Sequence, residues 1–402
     1  KDIKDKNIIL EEKSLETGKE GTVKFEDLEL GRYLVAETKA PKNVSSVISP
    51  FLIDLPRTSD NGEYWNYDVT VEPKNETVYG DVTLSKLNKN NNPLEGVIWE
   101  LQVKNGKDWS KYDYNETLMT NAEGKIIIKN LPVGNYRLIE IQTLEGYILD
   151  KSNIKEFIVS KDNTSFTFDN IINEKLSIKK EIKTDNGYCK SVGIYKEDEI
   201  EWRITADIAT IIEKLDTYYI TDVMSNGLDY ISDSIKIIAQ KTGTLLEKNL
   251  ILEKDYTVTL NNQNMKINFV TSSLKGYDVI YVTYNTIFNS NVIYGKRNEN
   301  KVALTYTDKI NIDGTSDKSI YKTESDIAEV HTGKLLVKKV DKEGVFLSGA
   351  KFYIATTEEN AKKGIYVKNK NEENLTAISN ENGDVVFTGL KYGEDGISAE
   401  EG

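Results

Sequence analysis

Three lysines occupy positions that strand patterning reserves for apolar side chains. Residues two apart on a β-strand share a face. Lys86 follows Val82 and Leu84 in phase, Lys180 lies between Ile178 and Ile182, and Lys339 follows Leu335 and Val337. Each amine is thereby aimed at a core. Burying an ammonium costs several kcal/mol unless it is neutral or paired. A lysine snorkelling out at a strand end, or paired with a buried carboxylate, would explain any one of them. Acids and amides recur on the same phase: Glu140 with Tyr136 and Leu138, Asp222 with Ile220, and Asn300 with Val302, Leu304 and Tyr306. Asn173 belongs to the last strand of its segment, in I-I-N-E-K.

Lys, acid and Asn together support one reaction. Desolvation lowers the pKa of the amine and raises that of the acid. The neutral amine is a nucleophile, and a protonated acid can polarise the carboxamide oxygen and carry a proton to departing ammonia. A fold that holds amine and amide in contact replaces an external catalyst. The expected product is a Lys–Asn isopeptide bond, made once and without turnover.

The elements that must position these groups are strands. The 402-residue chain is rich in Tyr, Thr, Ile, Val and Asn, a β-rich composition, and its length suits two to four domains. Internal repeats are visible. Residues 80–101 and 333–354 share one layout of strand, lysine, turn and second strand. T-N-A-E-G-K-I-I-I at 120–128 is echoed by S-N-E-N-G-D-V-V-F at 379–387, and residues 18–41 repeat the pattern again. The expected architecture is all-β, with tandem Ig-like sandwiches in an elongated rod. Expected boundaries are 1–78 (opening strand missing), 79–174, 175–331 and 332–402 (truncated). Residues 208–215 read as one helical turn or a loop.

A formal net charge of −13 argues against nucleic-acid or anionic-membrane partners. No segment has the apolar length of a membrane helix, and neither a signal peptide nor a sorting signal is recognisable, so a fragment of a longer precursor is expected. Cys189 is the only cysteine and reads as a turn thiol, which leaves no internal disulfide. No metal-ligand spacing, phosphate loop or cofactor motif is present. His331 is the only histidine and falls at a domain junction, a poor base for a catalytic triad.

One further stretch stands apart. Trp65–Asn75 reads W-N-Y-D-V-T-V-E-P-K-N. Val69 and Val71 alternate as in a strand, and Pro73 ends the ladder. Lys74 is out of phase with the valines and is expected in solvent.

W-x-x-x-V-x-V-x-P-K resembles the pilin motif of sortase-assembled Gram-positive backbone pilins, with Glu72 where tyrosine is usual. Residues 79–174 and those from 332 resemble CnaB-type domains, and 175–331 a CnaA-type domain. Y-R-L-I-E at 136–140 and Y-L-V-A-E-T-K-A-P at 33–41 resemble the family's E-box, and N-x-V-x-L-x-Y at 300–306 its asparagine strand. The resemblance implies that Lys74 is joined by a class C sortase to the C-terminal threonine of an identical subunit on the cell wall, with accessory or tip pilins as further partners. It also implies bonds Lys86–Asn173 assisted by Glu140, and Lys180–Asn300 assisted by Asp222. Asp207 and Lys179 are alternatives by type but out of phase. In the first domain Asn75, assisted by Glu37, would pair with a lysine of the missing strand. Lys339 would lack its partners and stay unbonded. A cell-wall-anchored adhesin with such modules as a stalk is the alternative.

Overall fold

The computed structural model describes residues 13–41, 44, 46–308, 320–369 and 371–401. The first stretch forms two small antiparallel sheets. One pairs β1 (Gly31–Val35) with β2 (Phe51–Leu55), and the other pairs β3 (Arg57–Thr58) with β4 (Trp65–Asn66). Arg32 and Asp54 face each other across β1 and β2 and form a bidentate ion pair at 2.7 and 3.0 Å. Among the described residues, no apolar side chain before Tyr79 is fully buried.

The second unit is a two-sheet sandwich. Its strands are β5 (Tyr79–Asn88), β6 (Ile98–Asn105), β7 (Asp108–Lys111), β8 (Leu118–Met119), β9 (Lys125–Pro132), β10 (Gly134–Gln142), β11 (Lys155–Val159) and β12 (Ser165–Asn173). One sheet runs β11-β10-β6-β7, with β8 also on β6; the other runs β12-β5-β9. Val82, Leu84, Trp99, Leu101, Ile126, Ile128, Tyr136 and Leu138 fill the space between them. Their period of two is what fixes which face each strand turns inward.

The third unit carries two larger sheets. Its strands are β13 (Ile178–Thr184), β14 (Gly187–Cys189), β15 (Ser191–Gly193), β16 (Ile200–Asp207), β17 (Leu215–Met224), β18 (Leu228–Tyr230), β19 (Lys236–Gln240), β20 (Glu247–Asn249), β21 (Tyr256–Asn261), β22 (Asn264–Phe269), β23 (Val279–Phe288), β24 (Asn298–Asp308), β25 (Ile320–Glu324) and β26 (Ala328–His331). The first sheet runs β14-β13-β16-β23-β19-β20 and the second β15-β26-β24-β17-β22-β21. Between β16 and β17 the ambiguous stretch forms a 3-10 turn at Ile212–Lys214. Cys189 lies on β14 rather than in a turn, with Sγ 3.1 Å from the Ser191 carbonyl.

The last unit pairs β27 (Gly333–Lys338) with β30 (Asp384–Leu390), and β28 (Lys351–Tyr353) with β29 (Thr376–Ile378). It repeats the second unit to the level of single hydrogen bonds. Lys86 N–H donates to the Gly124 carbonyl and Lys339 N–H to that of Gly383. Both glycines have positive φ, and a Cβ on either would lie 2.4 Å from the lysine's own carbonyl oxygen, so only glycine fits.

Neighbouring units are fastened. Ile148 of the second unit packs into the third unit's core, and Glu174 Oε2 accepts from Thr210 N–H at 2.7 Å. In the fourth, Ala399 N–H donates to the buried Glu329 carboxylate at 2.9 Å, and the ring of His331 packs on Tyr392 at 4.6 Å. His331 is thus a packed junction residue.

Candidate functional site: two buried amine–acid–amide clusters

In the second unit, alternation carries Lys86 inward from β5 and Glu140 inward from β10, on opposite sheets. Asn173 reaches the same spot by a bulge. β12 runs parallel to β5, and its register slips between Phe168 and Ile171, with Asn170 at φ 57°. That extra residue re-phases the strand, so that Ile171 and Asn173 face the core as Phe166 and Phe168 do before it. Lys86, Glu140 and Asn173 are all essentially inaccessible. Lys86 Nζ donates to Asn173 Oδ1 at 2.6 Å and lies 2.7 Å from Glu140 Oε2. Asn173 Nδ2 donates to Glu140 Oε1 and, at 2.7 Å, to Thr143 Oγ1. Burial pushes the Lys86 amine down and the Glu140 carboxyl up, each partly offset by the other's charge. Both shifts favour the neutral pair. The carboxyl faces the amide nitrogen, not the amide oxygen as the sequence suggested, so it stands beside the leaving group.

The third unit builds the same trio differently. Lys180 projects from β13 in one sheet; Asp222 from β17 and Asn300 from β24 come from the other. All three are fully buried. Lys180 Nζ donates to Asp222 Oδ2 and to Tyr284 Oη. Tyr284 donates to Asp222 Oδ2 at 2.5 Å, and Asn300 Nδ2 donates to Tyr284 Oη at 2.9 Å. Asp222 Oδ1 and Asn300 Oδ1 are buried without hydrogen-bond partners among the described residues, which costs about 1–3 kcal/mol each and is unlike a relaxed ion pair. Burial lowers the Lys180 pKa to about 8. Each lysine also abuts a core tryptophan: Lys86 Nζ is 5.7 Å from the Trp99 ring centroid and Lys180 Nζ is 5.0 Å from that of Trp202. The alternatives lie elsewhere. Lys179 is exposed and paired with Glu181, while Asp207 accepts from Ser177.

A pH dependence follows. Only the neutral amine attacks, so closure of a Lys180–Asn300 bond during refolding should accelerate about tenfold per pH unit up to about pH 8 and level off above it. A time course of mass loss between pH 6 and 9 measures this, and a rate that falls with rising pH would contradict it.

Elsewhere the expectations fare differently. Asn75 Nδ2 donates to Glu37 Oε2 at 2.8 Å, and Ile48 N–H donates to the same oxygen at 2.9 Å, so this acid and amide do meet. Lys74 is exposed. The expected strand through Val69 and Val71 is absent: pairing ends at Asn66, and Val71 is 39% exposed. Pro73 offers no N–H, and no described strand lies alongside to complete a ladder. Lys339 is half-buried, and among the described residues no carboxylate or asparagine meets its amine. Its strand face is open rather than core, with Leu335 41% exposed.

Sequence reasoning missed Tyr284, Thr143 and the tryptophans' position over the amines. Tyr284 had a signal, since Ile280, Val282, Tyr284, Thr286 and Phe288 form an inward row on β23. A hydroxyl on such a row needs a polar partner.

Residues 80–172 and 333–397 match the family model of the SpaA prealbumin-like fold domain, and residues 1–76 match that of the Gram-positive pilin subunit D1, N-terminal domain. The chain belongs to the Gram-positive pilins. This pilin is 28% identical over 134 residues to fimbrial subunit type 2 of Actinomyces naeslundii, an alignment over 31% of this chain. It spans 25% of that relative's length. Its fold is that of two solved structures. BcpA, the major pilin subunit of Bacillus cereus, is 21% identical with a TM-score of 0.52, over 78% of this chain and 85% of that one. The full-length major pilin SpaD of Corynebacterium diphtheriae is 18% identical with a TM-score of 0.53, over 77% and 80%.

Proposed function

We propose that this pilin is the shaft subunit of a covalently polymerised cell-surface pilus. Its units correspond to an N-terminal domain (1–78), CnaB-type domains (79–174 and 332–402) and a CnaA-type domain (175–331). The observation that carries the reading is the recurrence of a buried amine, carboxyl and carboxamide on two different sheet arrangements, in direct contact in the second unit and joined through the Tyr284 hydroxyl in the third. In each, the lysine lone pair attacks the asparagine Cγ, the Nζ–Cγ bond forms, the Cγ–Nδ2 bond breaks, and ammonia leaves with a proton that came from Nζ. Glu140 and Asp222 are the assisting acids. Glu37 and Asn75 form the matching half-site of the first domain, and Lys339 that of the fourth. Lys74, exposed beside Pro73, is the amine that a class C sortase joins to the next identical subunit, with accessory or tip pilins attached by related linkages.

Proteolysis of the folded chain followed by tandem mass spectrometry tests the internal bonds. The expected products are branched peptides joining the Lys86 and Asn173 sequences, and the Lys180 and Asn300 sequences. Only linear peptides would overturn the reading.

A further inference from the structure

The two clusters differ in how the acid reaches the leaving group. In the second unit the amide nitrogen of Asn173 donates straight to Glu140. In the third, the amide nitrogen of Asn300 donates to the phenol oxygen of Tyr284, and that phenol in turn donates to Asp222 at 2.5 Å while accepting from Lys180. Among the described residues, Tyr284 is therefore the one group in contact with the amine, the acid and the amide nitrogen together. It is fully buried on the inward row of β23, and its ring centroid lies 4.6 Å from Lys180 Nζ. A hydroxyl can accept one proton while giving up another, which a carboxamide or a tryptophan cannot do. Burial and the adjacent Asp222 hold this phenol well above the ordinary tyrosine range, so it hands protons on without resting as a phenolate.

We propose that Tyr284 is a catalytic residue of the Lys180–Asn300 bond and relays the proton from the amine to the departing ammonia; this rests on the bond-forming reading above. An amide nitrogen has no lone pair free to accept a proton while it is conjugated with its carbonyl. Attack by Nζ makes Cγ tetrahedral and frees that lone pair. The Tyr284 hydroxyl then turns from Asp222 to Nδ2 and gives up its proton there, while its oxygen takes a proton from Nζ. The Cγ–Nδ2 bond breaks, ammonia departs, and the phenol is restored. Asp222 stabilises the positive charge that develops on Nζ and is unchanged at the end. One Nζ–Cγ bond forms, one Cγ–Nδ2 bond breaks, and one proton moves from Nζ to Nδ2.

The test is refolding of the full chain, with bond closure in each unit followed by digestion and mass spectrometry. In Tyr284→Phe the Lys86–Asn173 bond should close at the wild-type rate while the Lys180–Asn300 bond slows about 100-fold or more, the usual worth of a positioned proton-transfer group. The wild-type third-unit rate should show a solvent deuterium isotope effect that the residual Tyr284→Phe rate lacks, a readout that lost packing alone would not move. Replacement of Tyr284 by 3-fluorotyrosine, which keeps the shape and lowers the phenol pKa, covers the case in which Tyr284→Phe does not fold; it should change the third-unit rate and leave the second-unit rate alone. Wild-type closure in either variant overturns the relay. Absence of third-unit mass loss in the wild-type chain overturns the bond itself.

Discussion

Intact-mass measurement of the folded chain should fall about 34 Da below the mass of its sequence, one ammonia for each of two bonds. Glu140→Ala should halve that deficit, measured against its own sequence mass, and Asp222→Ala should remove the other half. Glu140→Gln separates chemistry from packing, because it keeps the volume of the side chain and its contact with Lys86 but cannot shuttle the proton. The stability effect is large as well. A bond between Lys86 and Asn173 would close a loop with a sequence separation of 87, worth about 4–5 kcal/mol by analogy with disulfide closure. Glu140→Ala also leaves Lys86 buried without its counter-charge, a further penalty of about 3–5 kcal/mol if the amine stays charged. Calorimetry should therefore show the second unit melting well below its wild-type temperature, with the third unit unmoved. An intact mass equal to the sequence mass would remove the basis for all of these effects.

Replacing Lys74 should have an all-or-none outcome. In cells that carry the assembling sortase, the wild-type chain is expected as a ladder of high-mass species on a denaturing gel. Lys74→Arg should run as monomer only. Arginine preserves the positive charge and much of the reach, but its guanidinium stays protonated and is no nucleophile under these conditions. Lys74 is exposed and lies outside both buried clusters, so the variant should fold normally and keep its internal mass deficit. That combination assigns the two kinds of bond to different lysines. A ladder that persists in Lys74→Arg would favour an anchored adhesin with a stalk, or another acceptor lysine.

Much of this was legible because side-chain parity on a strand is strict. Lys86, Glu140, Lys180, Asp222 and Asn300 each lie in phase with buried neighbours, and each is buried. The two-sheet construction follows from the same alternation. Asn173 was legible only as the end of a strand: simple counting from Phe168 would turn Ile171 outward, and the bulge at Asn170 that corrects this rests on a backbone angle. The stretch through Val69 and Val71 has strand-like spelling without strand pairing, because alternation describes one chain and a ladder needs two. Tyr284 escaped notice because buried tyrosines are common in such cores, and nothing in its own segment reveals that an amine and an amide converge on its hydroxyl. The short strands β14, β15, β18 and β20, only three residues each, carry too little pattern to read.

The parallel pairing of β5 with β12 has a consequence for extensibility. Tension entering at Tyr79 and leaving beyond Asn173 would, without a cross-link, first slide these two strands past each other and then pay out the residues between them. Were Lys86 and Asn173 spliced, the load path would skip that interval, and a Lys180–Asn300 splice would do the same for the next one. At about 3.4 Å per extended residue the two intervals together hold roughly 700 Å of chain, which the two splices would keep from paying out under a pull. A fibre of subunits so spliced would bear a sudden tug like a cable of fixed length, while one without splices would lengthen and shed the strain as unfolding.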